Sequence, residues 1–115
     1  MKPFIIDNIF DKIYEEPYEI SISKNSFGKF VRLPSTETEP EKHEKWTDIY
    51  IVLEGEASLV LGEDLENAKD LGDGEFKGGE IVKPNMNRLR KGSIAVIPSG
   101  YPHKLRTGNN FAQLV

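Results

Sequence analysis

The sequence predicts an all-β fold, a sandwich or barrel of short strands. Three observations carry this. Polar and apolar residues alternate over short runs, as in Tyr18-Glu19-Ile20-Ser21-Ile22-Ser23. Turn signals return about every 8–12 residues, the spacing of sandwiches and barrels. Only Ile9 to Glu16 has helical spacing, with Ile9, Phe10, Ile13 and Tyr14 falling on one side. Many short strands with so little helix bury themselves as facing sheets or as a closed sheet, which also deals with exposed edges.

The chain justifies this element by element. Asp7 or Asn8 can cap the helical stretch and Pro17 stops it, giving a short N-terminal brace. Tyr18 to Ser23 follows as a half-buried strand, Asn25-Ser26-Phe27-Gly28 as a turn, and Lys29 to Leu33 as the next strand. Pro34 to Lys45 is polar, acidic and proline-containing, a surface loop or frayed strand. In Trp46 to Leu53, Asp48, Tyr50 and Val52 share one face and Ile49, Ile51 and Leu53 the other. Apolar residues on both faces predict a strand covered on both sides. Glu54-Gly55-Glu56 then turns the chain, and Ala57 to Leu61 is expected to return as its hairpin partner. Gly62 to Gly79 is rich in Gly, Asp and Glu and reads as an excursion with a hairpin near Asp73-Gly74. Glu80 to Leu89 is a strand that Pro84 breaks or holds at an edge. Ile94 to Ile97, Tyr101 to Thr107 and Phe111 to Val115 complete the series, the last two joined through Gly108-Asn109-Asn110.

A chain of 115 residues suits one domain, 1–115, with one core. Hydrophobic residues at 37% and charged residues at 30% exclude a disordered or fibrous chain. A net charge of -4 argues against nucleic acid as a partner, because phosphate calls for a basic face. Lys83, Arg88, Arg90, Lys91, Lys104 and Arg106 read as a solvated strand face. The absence of cysteine excludes disulfides, thiolate chemistry and Cys-type zinc sites. No signal-peptide core follows Met1, and no run approaches the ~18 apolar residues of a membrane span. The expectation is a cytoplasmic protein with no membrane partner.

Both histidines lie beside apolar runs, His43 before one strand and His103 after another. Imidazole and carboxylate together suit Zn, Fe(II), Mn, Ni or Co. Glu41 and His43 are two apart and point the same way on a strand. Asp48 is five beyond His43, so convergence calls for a bulge or bend, with Glu44-Lys45 the place for it. His103 follows Pro98-Ser99-Gly100, a tight turn that could swing it to a barrel mouth. Spacing alone leaves surface or core roles open for each histidine. Tyr50 shares the face of Asp48 and either lines a cavity or packs as core; Trp46 and Tyr101 flank a mouth or pack at an interface. A Gly-x-Ser-x-Gly elbow, a phosphate-cradling glycine loop and an EF-hand are all missing from the sequence.

The two histidine stretches resemble the paired motifs of the cupin superfamily. The first motif ends in a glycine, with a glutamate before it separated by six residues, and His-x-His further back. Anchored on Gly55, this puts Asp48 at the glutamate position, His43 at the second histidine and Glu41 at the first; Ser35 stands where the motif opens with glycine. The second motif is matched by Gly92, Pro98, Gly100 and His103, with Thr107 in place of its asparagine. The resemblance implies a cupin-like jelly-roll β-barrel, here with a short N-terminal helix, forming a homodimer and holding one divalent metal ion. The family's three histidines and one glutamate become Glu41, His43, Asp48 and His103. Glu41 makes the set more anionic, and Asp48 shortens one arm by a methylene. The implied activity is metal-dependent chemistry on a small organic substrate, of oxygenase, isomerase or lyase type, with Glu44 and Tyr50 as candidate catalytic residues. The alternative is a non-catalytic module that holds or senses a small ligand, since fold does not choose between chemistries.

Overall fold

The alternating runs become strands in a computed structural model that describes residues 3–14 and 16–115. In chain order these residues form α1 (Ile9–Lys12), β1 (Tyr18–Ser23), β2 (Ser26–Leu33), β3 (Thr36–Glu37), β4 (Glu41–His43), β5 (Asp48–Glu54), β6 (Glu56–Leu61) and β7 (Asp64–Glu66). There follow β8 (Lys69–Gly72), β9 (Glu75–Lys77), β10 (Glu80–Val82), β11 (Asn85–Arg90), β12 (Ile94–Ile97), β13 (His103–Thr107) and β14 (Phe111–Leu114). One sheet runs β1-β2-β14-β5-β12; a second runs β11-β6-β13-β4-β9-β8, with β3 also paired to β13. β10 and β7 make a separate pair. All pairings are antiparallel. Inward residues of both sheets share one core: Tyr50, Val52, Ile97 and Phe111 from the first, Ala57, Leu59, Leu89 and Leu105 from the second. Burying each large apolar side chain there contributes about 1.5–3 kcal/mol. This two-sheet, all-β arrangement fits the expected jelly roll.

The sequence misplaces some local features. Ala57 to Leu61 does not return against the preceding strand: β5 pairs with β12 and β14, while β6 pairs with β11 and β13. Gly55 therefore carries the chain from one sheet to the other. Its φ is 77°, and a Cβ there would lie 2.8 Å from the Asn110 carbonyl oxygen and 2.9 Å from Phe111 Cα. Helical spacing from Ile9 to Glu16 yields only the single turn α1, whose Asn8 cap is left-handed (φ 56°) and makes no side-chain hydrogen bond. So short a helix holds few backbone bonds of its own. Ile13 is buried just after it, while Glu15 lies outside the described residues. The strand expected over Glu80 to Leu89 is two, β10 and β11, parted at Lys83 (φ 51°) and Pro84.

Pro34 to Lys45 holds two short strands, β3 and β4, and the excursion after Gly62 holds three, β7 to β9. Asp73 and Gly74, at φ 54° and 79°, turn β8 into β9 as a two-residue hairpin. β5 is buried on its inner face, and on its outer face Ile51 and Leu53 are partly covered. On the outer face Ile49 is 50% exposed, beside Ile94 at 65% and Val96 at 60% on β12. Several basic side chains predicted to be merely solvated are ion-paired: Arg88 with Glu56, Lys104 and Arg106 with Glu37, Lys83 with Glu63.

Candidate metal centre

The registers of β4 and β13 bring distant candidate ligands together. Glu41 pairs directly with His103, and His43, two residues on, shares its face. Asp48 enters from the opposite sheet as the first residue of β5. The chain bends at Glu44-Lys45, as the spacing requires, and the bend spans the gap between sheets. Two backbone bonds fix it: Glu44 N donates to Gly74 O at 2.8 Å, and Gly100 N donates to His43 O at 2.7 Å.

The four side chains meet, each offering one ligand atom, and these atoms lie within 4.8 Å of one another. His43 Nε2 is 3.5 Å from Glu41 Oε1 and 3.2 Å from Asp48 Oδ2. His103 Nε2 is 3.4 Å from the same Glu41 oxygen and 3.2 Å from the same Asp48 oxygen. Both rings are held by their other nitrogens. His43 Nδ1 lies 2.8 Å from Glu75 Oε2, and His103 Nδ1 lies 2.9 Å from the Tyr101 carbonyl oxygen. Each hydrogen bond makes Nδ1 the donor, so that the neutral ring turns its Nε2 lone pair toward the centre. His103 Nε2 is buried yet makes no aligned hydrogen bond, despite its oxygen neighbours. The atoms surround a shared point more than they pair with each other. Asp48, for all its shorter arm, reaches that point.

The carboxylates dominate the electrostatics. Asp48, then Glu41, raise the His43 pKa to about 11, against burial. Burial lowers that of His103, but Asp48 and Glu41 outweigh it and hold the value at about 9. Burial likewise pushes Asp48 up, yet the two imidazoles bring it down to about 2. Glu41 sits well below the usual carboxylate range, its burial overcome by His103 and His43. The Tyr50 phenol is pushed far up, by burial first and then by the charges of Asp48 and Glu41, so it stays protonated. Protons on the imidazoles are what a bound dication displaces.

A cavity opens over the cluster, lined by Tyr50 together with Phe27, Trp46, Gln113 and others. Phe27 and Trp46 stack edge to face, 5.5 Å apart at 77°. The Tyr50 ring stands 6.3 Å from that of His103. Glu44 is elsewhere: it does not line the cavity, is half-exposed, and its Oε1 lies 3.4 Å from Lys42 Nζ. Alternation explains this, because the residue after His43 faces the other side of the strand. Two residues escaped the sequence reading. Glu75 reaches His43 because β9 pairs with β4, His43 opposite Glu75. Gln113 lines the cavity from β14 at 3% exposure.

Comparison with protein-family models gives no match, and comparison with curated proteins gives none either. Solved structures do match in fold. A hydroquinone 1,2-dioxygenase in complex with Cd2+ and 4-hydroxybenzonitrile is 20% identical, with a TM-score of 0.70 over 93% of this chain and 68% of that one. The hydroquinone 1,2-dioxygenase from Sphingomonas sp. TTNP3, with 4-hydroxybenzoate bound, is 18% identical at a TM-score of 0.70, over 93% and 70% of the two chains. A cupin-2 domain containing protein from Shewanella frigidimarina is 19% identical at a TM-score of 0.62, over 93% and 88%.

Proposed function

We propose that this chain, whose fold is that of the cupin superfamily, holds a divalent metal ion on Glu41, His43, Asp48 and His103 and acts on a small organic substrate. One observation carries this: four converging ligand atoms, with His103 Nε2 buried and unbonded among them. Coordination gives that buried nitrogen a partner that the neutral ring lacks. Two imidazoles and two carboxylates fit Zn, Fe, Mn, Ni or Co, and the two carboxylates balance a dication. When bound, such an ion supplies a Lewis acid that polarises a substrate oxygen. The chain's own residues do the rest. Glu75 and the Tyr101 carbonyl fix the ring orientations. Tyr50, kept protonated, offers a hydroxyl donor beside the cluster. Phe27 and Trp46 present aromatic surface to a flat ligand at the cavity wall. Glu44, turned toward Lys42, takes no catalytic role in this account.

The two dioxygenase neighbours, with phenolic compounds bound, favour oxygenase chemistry on a phenol among the reactions open to the fold. The test is oxygen uptake by the Fe(II)-loaded protein supplied with hydroquinone or with 4-hydroxybenzoate. Metal-dependent uptake that His103→Ala abolishes is the expected result. Stoichiometric binding of 4-hydroxybenzoate with no turnover would instead leave a module that only holds its ligand. We also infer a homodimer, through the outer face where Ile49, Ile94 and Val96 are exposed. Exposed apolar surface of this kind marks an association site. Light scattering should give twice the chain mass, and Val96→Lys should return the monomer.

A further inference from the structure

We infer, resting on the metal centre proposed above, that Gln113 and Lys29 form the wall that selects the substrate, and that the substrate is a small hydroxylated organic anion. Gln113 lies on β14 between Val31 and Val52, its partners on the neighbouring strands. It is 3% exposed, and its Oε1 is buried with no hydrogen-bond partner. An apolar side chain of similar volume would fit these neighbours without leaving a polar group unmet. Gln113 lines the same cavity as Asp48, Tyr50 and His103. The amide is thus placed to take a hydrogen bond from a ligand hydroxyl, and a flip of the amide changes only which of its atoms does so.

Lys29 lies two residues before Val31 on β2 and so shares that face. Its backbone is fixed by paired 2.8 Å bonds with Val115. The side chain is half-buried, lines the cavity, and has no carboxylate within ion-pair distance among the described residues. The other cations near the cluster differ. Lys104 is tied to Glu37 at 2.6 Å, Lys42 to Glu44 and Asp64, and Lys77 is exposed on the rim. Of the facing acids, Glu41 and Asp48 serve the ion and Glu75 holds His43; Glu39 is exposed, and so is Glu19, which sits opposite Lys29 on β1 without an ion pair to it. Lys29 is therefore the cation left for a ligand carboxylate, one residue pair along from the amide that meets its hydroxyl.

The experiment titrates Zn(II)-loaded protein with 4-hydroxybenzoate, benzoate and phenol. It reads the fluorescence of Trp46, the one tryptophan of the chain, which lines the cavity. Zinc content is measured on every sample. The wild type should bind 4-hydroxybenzoate at least about tenfold more tightly than either analogue, since each lacks one bonding group. Gln113→Leu should erase the preference over benzoate, and Lys29→Met the preference over phenol. Gln113→Met serves as a second variant if the leucine protein does not fold. Unchanged preferences in folded, zinc-loaded variants overturn the inference, as does a zinc-loaded wild type that binds none of the three. A protein that takes no zinc overturns the metal centre instead; the same titration of that protein then supports the wall if both variants weaken binding and overturns it if they do not.

Discussion

Glu75 provides a sharp test of how the centre is built, because no ligand is touched. Its Oε2 accepts from His43 Nδ1 at 2.8 Å, with the two side chains 37% and 17% exposed. A charged hydrogen bond that orients a ligating imidazole is typically worth 10- to 100-fold in metal affinity, or about 1.4–2.8 kcal/mol. Partial exposure of Glu75 places the expectation toward the lower end of that range. Glu75→Ala should therefore weaken Zn(II) binding about 10- to 30-fold. Glu75→Gln, which can still accept from Nδ1 but carries no charge, should fall between. The assay is competition against a chromophoric chelator at fixed pH. Asp73→Asn on the same hairpin is the control: Asp73 pairs with exposed Lys45 and touches no ligand. Equal losses from Glu75→Ala and Asp73→Asn, or no loss from the former, would refute the positioning role.

Three further outcomes follow from the structure. In metal-free protein the imidazole pKa values of about 11 and about 9 exceed the ordinary 6.5, so the stability they contribute is whole below pH 6.5 and is lost as pH rises through 9 and then 11. Metal binding releases those protons and strengthens over the same range, so melting temperatures of metal-free and zinc-loaded protein should diverge from pH 6.5 to 9; parallel curves would contradict the cluster's charge pattern. On the acid side, Asp48 contributes stability above pH 3.8 that is lost as pH falls through about 2. Gly55→Ala should cost about 2–3 kcal/mol, because strain at φ 77° adds to a backbone clash at 2.8 Å. Gly92→Ala, at φ 91° with nothing within 4 Å, should cost less by urea denaturation, and equal midpoints would place the strain elsewhere.

Much of the centre was legible because its spacing is local. Gly55, Asp48, His43 and Glu41 stand in one short stretch, and Gly92, Pro98, Gly100 and His103 in another. Alternation also revealed most strands, including the inward row Asp48, Tyr50 and Val52. What stayed hidden depends on pairing between distant segments. A glycine turn between two strands looks the same whether the second strand returns or crosses to another sheet, so β6 was paired with the wrong partner. Glu75 sits in a polar excursion and gains meaning only from a pairing 32 residues away. Gln113 looks like an ordinary polar position until both its neighbouring strands turn out to be apolar there. Apolar residues on both faces of β5 signal a covered strand; its outer row is partly covered at Ile51 and Leu53 and open at Ile49.

The central claim is that Glu41, His43, Asp48 and His103 hold a metal ion. Metal analysis of protein purified without chelators, or reloaded with zinc and desalted, tests it most directly. One divalent ion per chain is expected, falling to background in the His43→Ala/His103→Ala double variant. Stoichiometric metal that survives the double substitution, or a wild type that stays empty after reloading, would contradict the account.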